Sequence, residues 1–225
     1  MQSRKRKSLA VIGSTIFLAS GLLPLGEAQA ETTWKLASGR SNISFSVKHF
    51  VLLSVKGRFR QYEGTVVTPD SGDFSSAKVD VSIPVESIYT GNTDRDSHLK
   101  QAEFFDSEHF PNMRFQSTKV VANGDGTYSL TGLLTIRKVS KTVTLKVNPT
   151  GEKILADGSK RLDFIASGKV NRYDFGLRWN ELTETGGMVV DENVAISLEV
   201  SLTNAAQTKA ADDTITLQRT SLEAK

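Results

Sequence analysis

The chain contains no cysteine among its 225 residues. Disulfides, thiol nucleophiles and zinc–thiolate sites are thereby removed, so an exported fold must be held by its core alone. Histidine is scarce, with His49, His98 and His109 as the whole set. Asp96 and His98 stand two apart, a spacing that does not bring side chains together on a helix. His98, Glu103 and His109 match no standard zinc spacing such as H-E-x-x-H, and no Gly-rich phosphate loop occurs. No catalytic residue, metal or other cofactor is therefore expected. After residue 30 there is also no apolar run long enough for a transmembrane helix.

What is present begins with a leader. Arg4, Lys5, Arg6 and Lys7 precede an apolar run from Leu9 to Leu25, and Ala28-Gln29-Ala30 fits an A-x-A cleavage site. This predicts a secretory signal peptide over 1–30, cleaved after Ala30, and a periplasmic mature chain. Gly21, Pro24 and Gly26 break the apolar run, which disfavours an uncleaved anchor. The chain has 28 Lys+Arg and 25 Asp+Glu; residues 1–30 hold four of the former and one of the latter, leaving 24 of each sign. A neutral mature chain gives no support to a nucleic-acid partner.

Period-two alternation dominates the rest. Ile43, Phe45 and Val47 alternate with Ser44, Ser46 and Lys48; Val55, Gly57 and Phe59 alternate with Lys56, Arg58 and Arg60. The same pattern recurs at 78–85, 113–121, 128–136, 143–147, 162–170 and 194–202, the signature of strands with one buried face. A turn is expected at Ser38-Gly39, and Asn123-Gly124 and Asp157-Gly158 read as hairpins. The strand starting at Val55 is expected to run on through Tyr62 to Val67. About eight strands fit a sandwich or a barrel, and long strands with tight hairpins favour an up-and-down barrel. Gly57, Gly132, Ala166 and Gly168 fall on the inward face, where they either leave room or curve the sheet. The barrel domain is expected over 31–203 and a polar tail over 204–225.

Within 90–118 the alternation stops, and it returns at Met113, Phe115 and Ser117. Asn92 or Thr93 can cap a helix, Asp94 and Asp96 suit its first turn, and Arg95, Leu99 and Ala102 recur at helical spacing. A short helix among strands is expected to cap one end of the core.

Within this stretch, Ser87-Ile88-Tyr89-Thr90-Gly91-Asn92, Arg95-Asp96-Ser97-His98-Leu99-Lys100 and Phe104-Phe105-Asp106 resemble the signature of the YceI-like, polyisoprenoid-binding family. Val47-Lys48-His49, Val55-Lys56-Gly57-Arg58-Phe59, Phe115-Gln116-Ser117-Thr118, Gly132-Leu133-Leu134-Thr135-Ile136 and Asn171-Arg172-Tyr173-Asp174-Phe175-Gly176 agree in order. Arg137-Lys138 departs from the His-Gly common in that family. The resemblance implies an all-β, eight-stranded antiparallel lipocalin-like barrel with a short helix capping one end. It also implies an apolar tunnel for a long-chain isoprenoid or quinone-like lipid.

On that reading the tunnel is lined by Phe45, Val47, Val55, Phe59, Val81, Ile83, Phe115, Leu130, Leu134, Phe164, Val170 and Phe175. Arg58, Arg95, His98 and Arg172 are candidates to meet an anionic head group. Alternatively, Arg95 and Arg172 pair with Asp96, Asp106 or Asp174 to pin the helix. The expected function is periplasmic lipid binding or carriage. An enzyme acting on a lipid-linked substrate and an envelope interaction protein without ligand are the alternatives. A barrel edge or the charged mouth could support a homodimer.

Overall fold

Eleven strand segments form one antiparallel sheet in the computed structural model, which describes residues 30–49, 53–69, 73–179 and 190–204. The expected signal peptide up to residue 29, the expected tail beyond Asn204, the apolar stretch 50–52 and Gly186-Gly187 lie outside these residues. The segments are β1 (Glu31–Leu36), β2 (Asn42–His49), β3 (Leu53–Phe59), β4 (Glu63–Pro69), β5 (Lys78–Pro84) and β6 (Ile88–Tyr89). After helix α1 (Thr93–Leu99) come β7 (Asn112–Ala122), β8 (Tyr128–Ile136), β9 (Val139–Ile154), β10 (Lys160–Asn171) and β11 (Val190–Asn204).

Pairing reduces the eleven segments to eight staves. β1 and β2 both lie along β11, while β4 pairs with β1 and β3 with β2. β5 and β6 pair with β4 and β3 in the same way. So β1–β2, β3–β4 and β5–β6 are each one kinked stave, and the β11 pairing with β1 and β2 closes the ring. The result is the expected eight-stranded antiparallel barrel, and closure removes the exposed edges that an open sheet would carry.

One kink falls at the expected turn and another inside a strand expected to be continuous. A turn at Ser38-Gly39 suggested two separate strands, yet the chain makes one 3-10 turn (Ser38–Arg40) and keeps its direction. The strand expected from Val55 through Val67 breaks at 60–62. These two kinks and the 3-10 turn Val85–Ser87 lie on adjacent staves and bind one another. The Tyr62 hydroxyl donates to the carbonyls of Ser38 and Ser41, and Arg60 N–H donates to Ser87 O at 2.9 Å. Across the closing seam, Ala37 N–H donates to Ser201 O at 2.9 Å and Ser201 N–H to Ser41 Oγ at 3.0 Å. The ladder is therefore bridged where the strands break, as buried backbone groups require. Partial burial raises the Tyr62 phenol above its ordinary value, with Arg58 opposing.

Two buried clusters hold the ends. Trp34, Val66, Leu162, Phe164 and Leu202 form one, where Trp34 Nε1 donates to the buried Thr68 Oγ1 at 3.0 Å. Phe59, Ile83, Val85, Ile88, Met113, Ile136, Phe175 and Leu177 are among the members of the other. The strand expected over 113–121 is present as β7, which begins one residue earlier at Asn112 and belongs to the barrel wall.

Candidate binding cavity and its cap

Between the two clusters the barrel is hollow. A cavity of about 260 Å³ is lined by inward residues of every stave, and no charged residue lies among them. Ile43, Phe45, Val81, Leu130, Leu134, Ile196 and Leu198 are only partly buried although they point inward, because their exposed faces meet this space. Side chains in a filled barrel would instead be closed off by one another.

Nine of the twelve expected lining residues surround the cavity: Phe45, Phe59, Val81, Ile83, Phe115, Leu130, Leu134, Phe164 and Val170. Val47 and Val55 face each other across β2–β3, nearer the hairpin and outside the wall. Phe175 is 2% exposed and packs into the second cluster. The inward glycines make room indirectly, because neighbouring side chains occupy the space beside them. A Cβ at Gly57 would sit 2.3 Å from Phe45 Cζ, one at Gly132 2.5 Å from Phe115 Cζ, and one at Gly168 2.5 Å from Leu145 Cδ2. Each of these glycines seats a neighbouring strand's side chain, so the rings lie flat against the wall and the axis stays open.

Phe74 was absent from the sequence reading because it sits in a 3-10 turn (Phe74–Ser76) rather than a strand. It lines the cavity, with its ring 5.5 Å from Phe164 and 6.2 Å from Tyr128. Ile196 and Leu198 also line it, and the alternation of β11 already marked them as inward.

At the other end lies the α1 segment. Asn92 caps the helix by accepting from Arg95 N–H at 2.8 Å. Asp96 reaches back to Thr90 N–H at 2.8 Å and to its hydroxyl. The helix stops at Leu99, so Ala102 lies beyond it and is exposed. Leu99 and Phe105 pack on the second cluster, and the Phe105 ring meets Phe59 edge-on at 6.4 Å. Arg137, the departure from His-Gly, holds the segment down. Its Nη1 donates to Phe104 O at 3.3 Å, Nη2 lies 3.6 Å from Asp106 Oδ2, and the guanidinium stands 5.8 Å from the Phe110 ring centre.

None of the four head-group candidates reaches the cavity wall. Arg58 is exposed on the outer face beside Tyr89. Arg95 donates to Thr90 Oγ1 and Thr90 O at 2.8 and 3.0 Å. His98 contacts Glu103 at 2.9 Å and packs edge-on against Phe104 and Trp179. Arg172 is 5% exposed and donates to the carbonyls of Leu177, Trp179, Val190 and Asp191. Burial lowers its pKa from the ordinary value, opposed by Tyr173, Asp191 and Glu192. The alternative ion pairs of Arg95 and Arg172 with Asp96, Asp106 or Asp174 are not formed. Backbone carbonyls and Thr90 take the guanidinium donors instead. Among the described residues no three His, Asp or Glu side chains converge to hold a metal, and no helix is long and apolar enough to cross a membrane.

Asp106, at 2.8 Å, raises the pKa of His109 above its ordinary value. The imidazolium–carboxylate contact is complete below pH 6.5 and is lost as pH rises through the elevated folded value. An NMR titration should place the His109 midpoint above 6.5 and return it to the ordinary value in Asp106→Asn. An unchanged midpoint in that variant would remove the pairing as the cause.

Residues 34–202 match the YceI-like domain. The chain belongs to the YceI-like family. A UPF0312 protein of Staphylococcus aureus is 33% identical over 164 residues, covering 72% of this chain and 92% of its own. The Campylobacter jejuni YceI crystal structure is 31% identical with a TM-score of 0.59, covering 70% of this chain and 89% of its own. A polyisoprenoid-binding domain from Saccharophagus degradans shares the fold at 12% identity, with a TM-score of 0.55 over 77% of this chain and 99% of its own. The YceI-like match thus spans every stave of the barrel and the α1 segment.

Proposed function

We propose that this chain is a periplasmic, non-catalytic binding or carrier protein for a polyisoprenoid or similar long-chain lipid. The observation that carries this reading is the cavity of about 260 Å³ whose wall holds no charge. Such a wall rewards a flexible hydrocarbon and nothing polar: at ~0.8 kcal/mol per buried CH₂, sheltering about 15 carbons contributes roughly 12 kcal/mol before association and ordering costs. Family membership and the fold shared with a polyisoprenoid-binding domain support the ligand class. The leader at 1–30 supports export.

Organic extraction of the purified protein followed by mass spectrometry should release an isoprenoid or related lipid. The stripped protein should take up added isoprenoid quinones or prenyl phosphates. Ile196→Trp, which adds bulk to the wall beside its cross-strand neighbour Phe45, should block uptake while leaving the far-ultraviolet spectrum of the barrel intact. An empty extract together with no uptake would overturn the reading.

A further inference from the structure

The outer face of β2 and β3 carries an unbalanced charge. Lys56, Arg58 and Arg60 alternate outward against the inward Val55, Gly57 and Phe59, and all three cations are exposed. Lys48 on β2 and Lys169 on β10 are exposed on the same face. Register makes this one surface: Lys169, Ala195, Ser46 and Lys56 form a row across four strands, and Ser167, Ser197, Ser44 and Arg58 form the next. Small side chains stand between the two cations of the first row and beside Arg58 in the second.

None of the five makes an ion pair with a described residue, as is also true of cations elsewhere such as Lys119 and Lys141, so it is their clustering on one face that sets them apart. Arg58 and Arg60 instead flank the Tyr89 ring, with Cζ at 5.5 and 3.7 Å from its centre. The nearby acids stand at the margins: Asp191 senses Lys169 and Lys48, and Glu199 lies opposite Asn42. Leu53, at the hairpin end of β3, is 62% exposed but shares the inward parity of Val55 and Gly57, so it stands at the barrel rim and not on the charged face. Cations gathered on a face of small side chains suit the phosphates of an anionic bilayer surface.

We propose that the β2–β3 outer face docks the protein on an anionic lipid bilayer, beside the α1-capped end of the cavity. This rests on the lipid-carrier reading and adds where such a carrier meets its membrane. A chain with equal numbers of each charge after residue 30 has little overall attraction to such a surface, so the concentration of cations on one face orients the approach.

The test is co-sedimentation at low salt with phosphatidylcholine vesicles, with and without phosphatidylglycerol, none containing isoprenoid. The wild-type protein should bind only the mixed vesicles, and binding should weaken as salt screens it. Each cation at an anionic surface is worth roughly fivefold in partitioning, so Lys56→Glu/Arg58→Glu should bind roughly twentyfold less or weaker still. Lys78→Glu/Lys160→Glu makes the same change in net charge at the opposite end and should bind like wild type. Should the first pair misfold by circular dichroism, Lys56→Gln/Arg58→Gln carries the comparison. Wild-type indifference to phosphatidylglycerol, or equal losses in patch and control pairs, would overturn the docking face. Ile196→Trp separates the two readings: it should still dock while failing to take up lipid, and loss of docking in that variant would show extraction into the cavity instead.

Discussion

Arg172→Met should lower the free energy of unfolding by about 3–5 kcal/mol, because several carbonyls would lose a charged donor in a buried site. The affected oxygens belong to Leu177 and Trp179 on one side of the β10–β11 connection, and to Val190 and Asp191 on the other. One guanidinium therefore staples both flanks of that connection to the end of β10. In a protein of this size the melting temperature should drop by roughly 10 °C. Arg172→Lys should recover little, since an ammonium on a flexible stem cannot fork between separated carbonyls. Urea and thermal unfolding measure the effect. Unchanged stability with weakened lipid binding would instead restore Arg172 as a head-group ligand.

Gly132→Ala and Gly57→Ala should fail in different ways. At Gly132 the new Cβ would lie 2.5 Å from the carbonyl oxygen of Gln116 as well as from the Phe115 ring. The backbone in the β7–β8 ladder cannot step aside, so a loss of about 3 kcal/mol is expected. At Gly57 the three nearest atoms all belong to the far end of the Phe45 ring. That ring can swing, and the space beside it is the cavity. Stability should then fall by about 1 kcal/mol. If the displaced ring takes the room of two CH₂ groups, hydrocarbon affinity should fall by about tenfold. Equilibrium unfolding beside uptake of a fluorescent long-chain probe distinguishes the two. Equal stability losses with equal uptake would show that the glycine seats do not shape the cavity.

Most of the wall was legible because period-two alternation is a local property. The inward sets of β5, β8, β10 and β11 could be read directly, and nine expected lining residues stand where a closed sheet must put them. The kinks were harder. Ser38-Gly39 reads as a turn, and only the pairing of β1 and β2 with the same β11 shows that the chain continues forward. Phe74 escaped because a 3-10 turn has no strand period. The charged candidates were placed by chemical type alone, and type does not tell a guanidinium which acceptor it will meet. Arg172 meets carbonyls at 177, 179, 190 and 191, up to nineteen residues away, and Arg95 meets Thr90, five residues away. Arg137 stood out as a family departure, yet its grip on Phe104 O joins two distant loops, which no local pattern encodes.

The way the ring closes sets how the chain can be made. β11 supplies the seam to β1 and β2, and Ser41 and Ser201, which meet there, are 160 residues apart. Until that last strand emerges, β1–β2 and β10 both present unpaired backbone, the template on which strands aggregate. Contacts so distant in sequence make folding slow. A chain exported N-terminus first would therefore need its first strands shielded until its final segment had crossed.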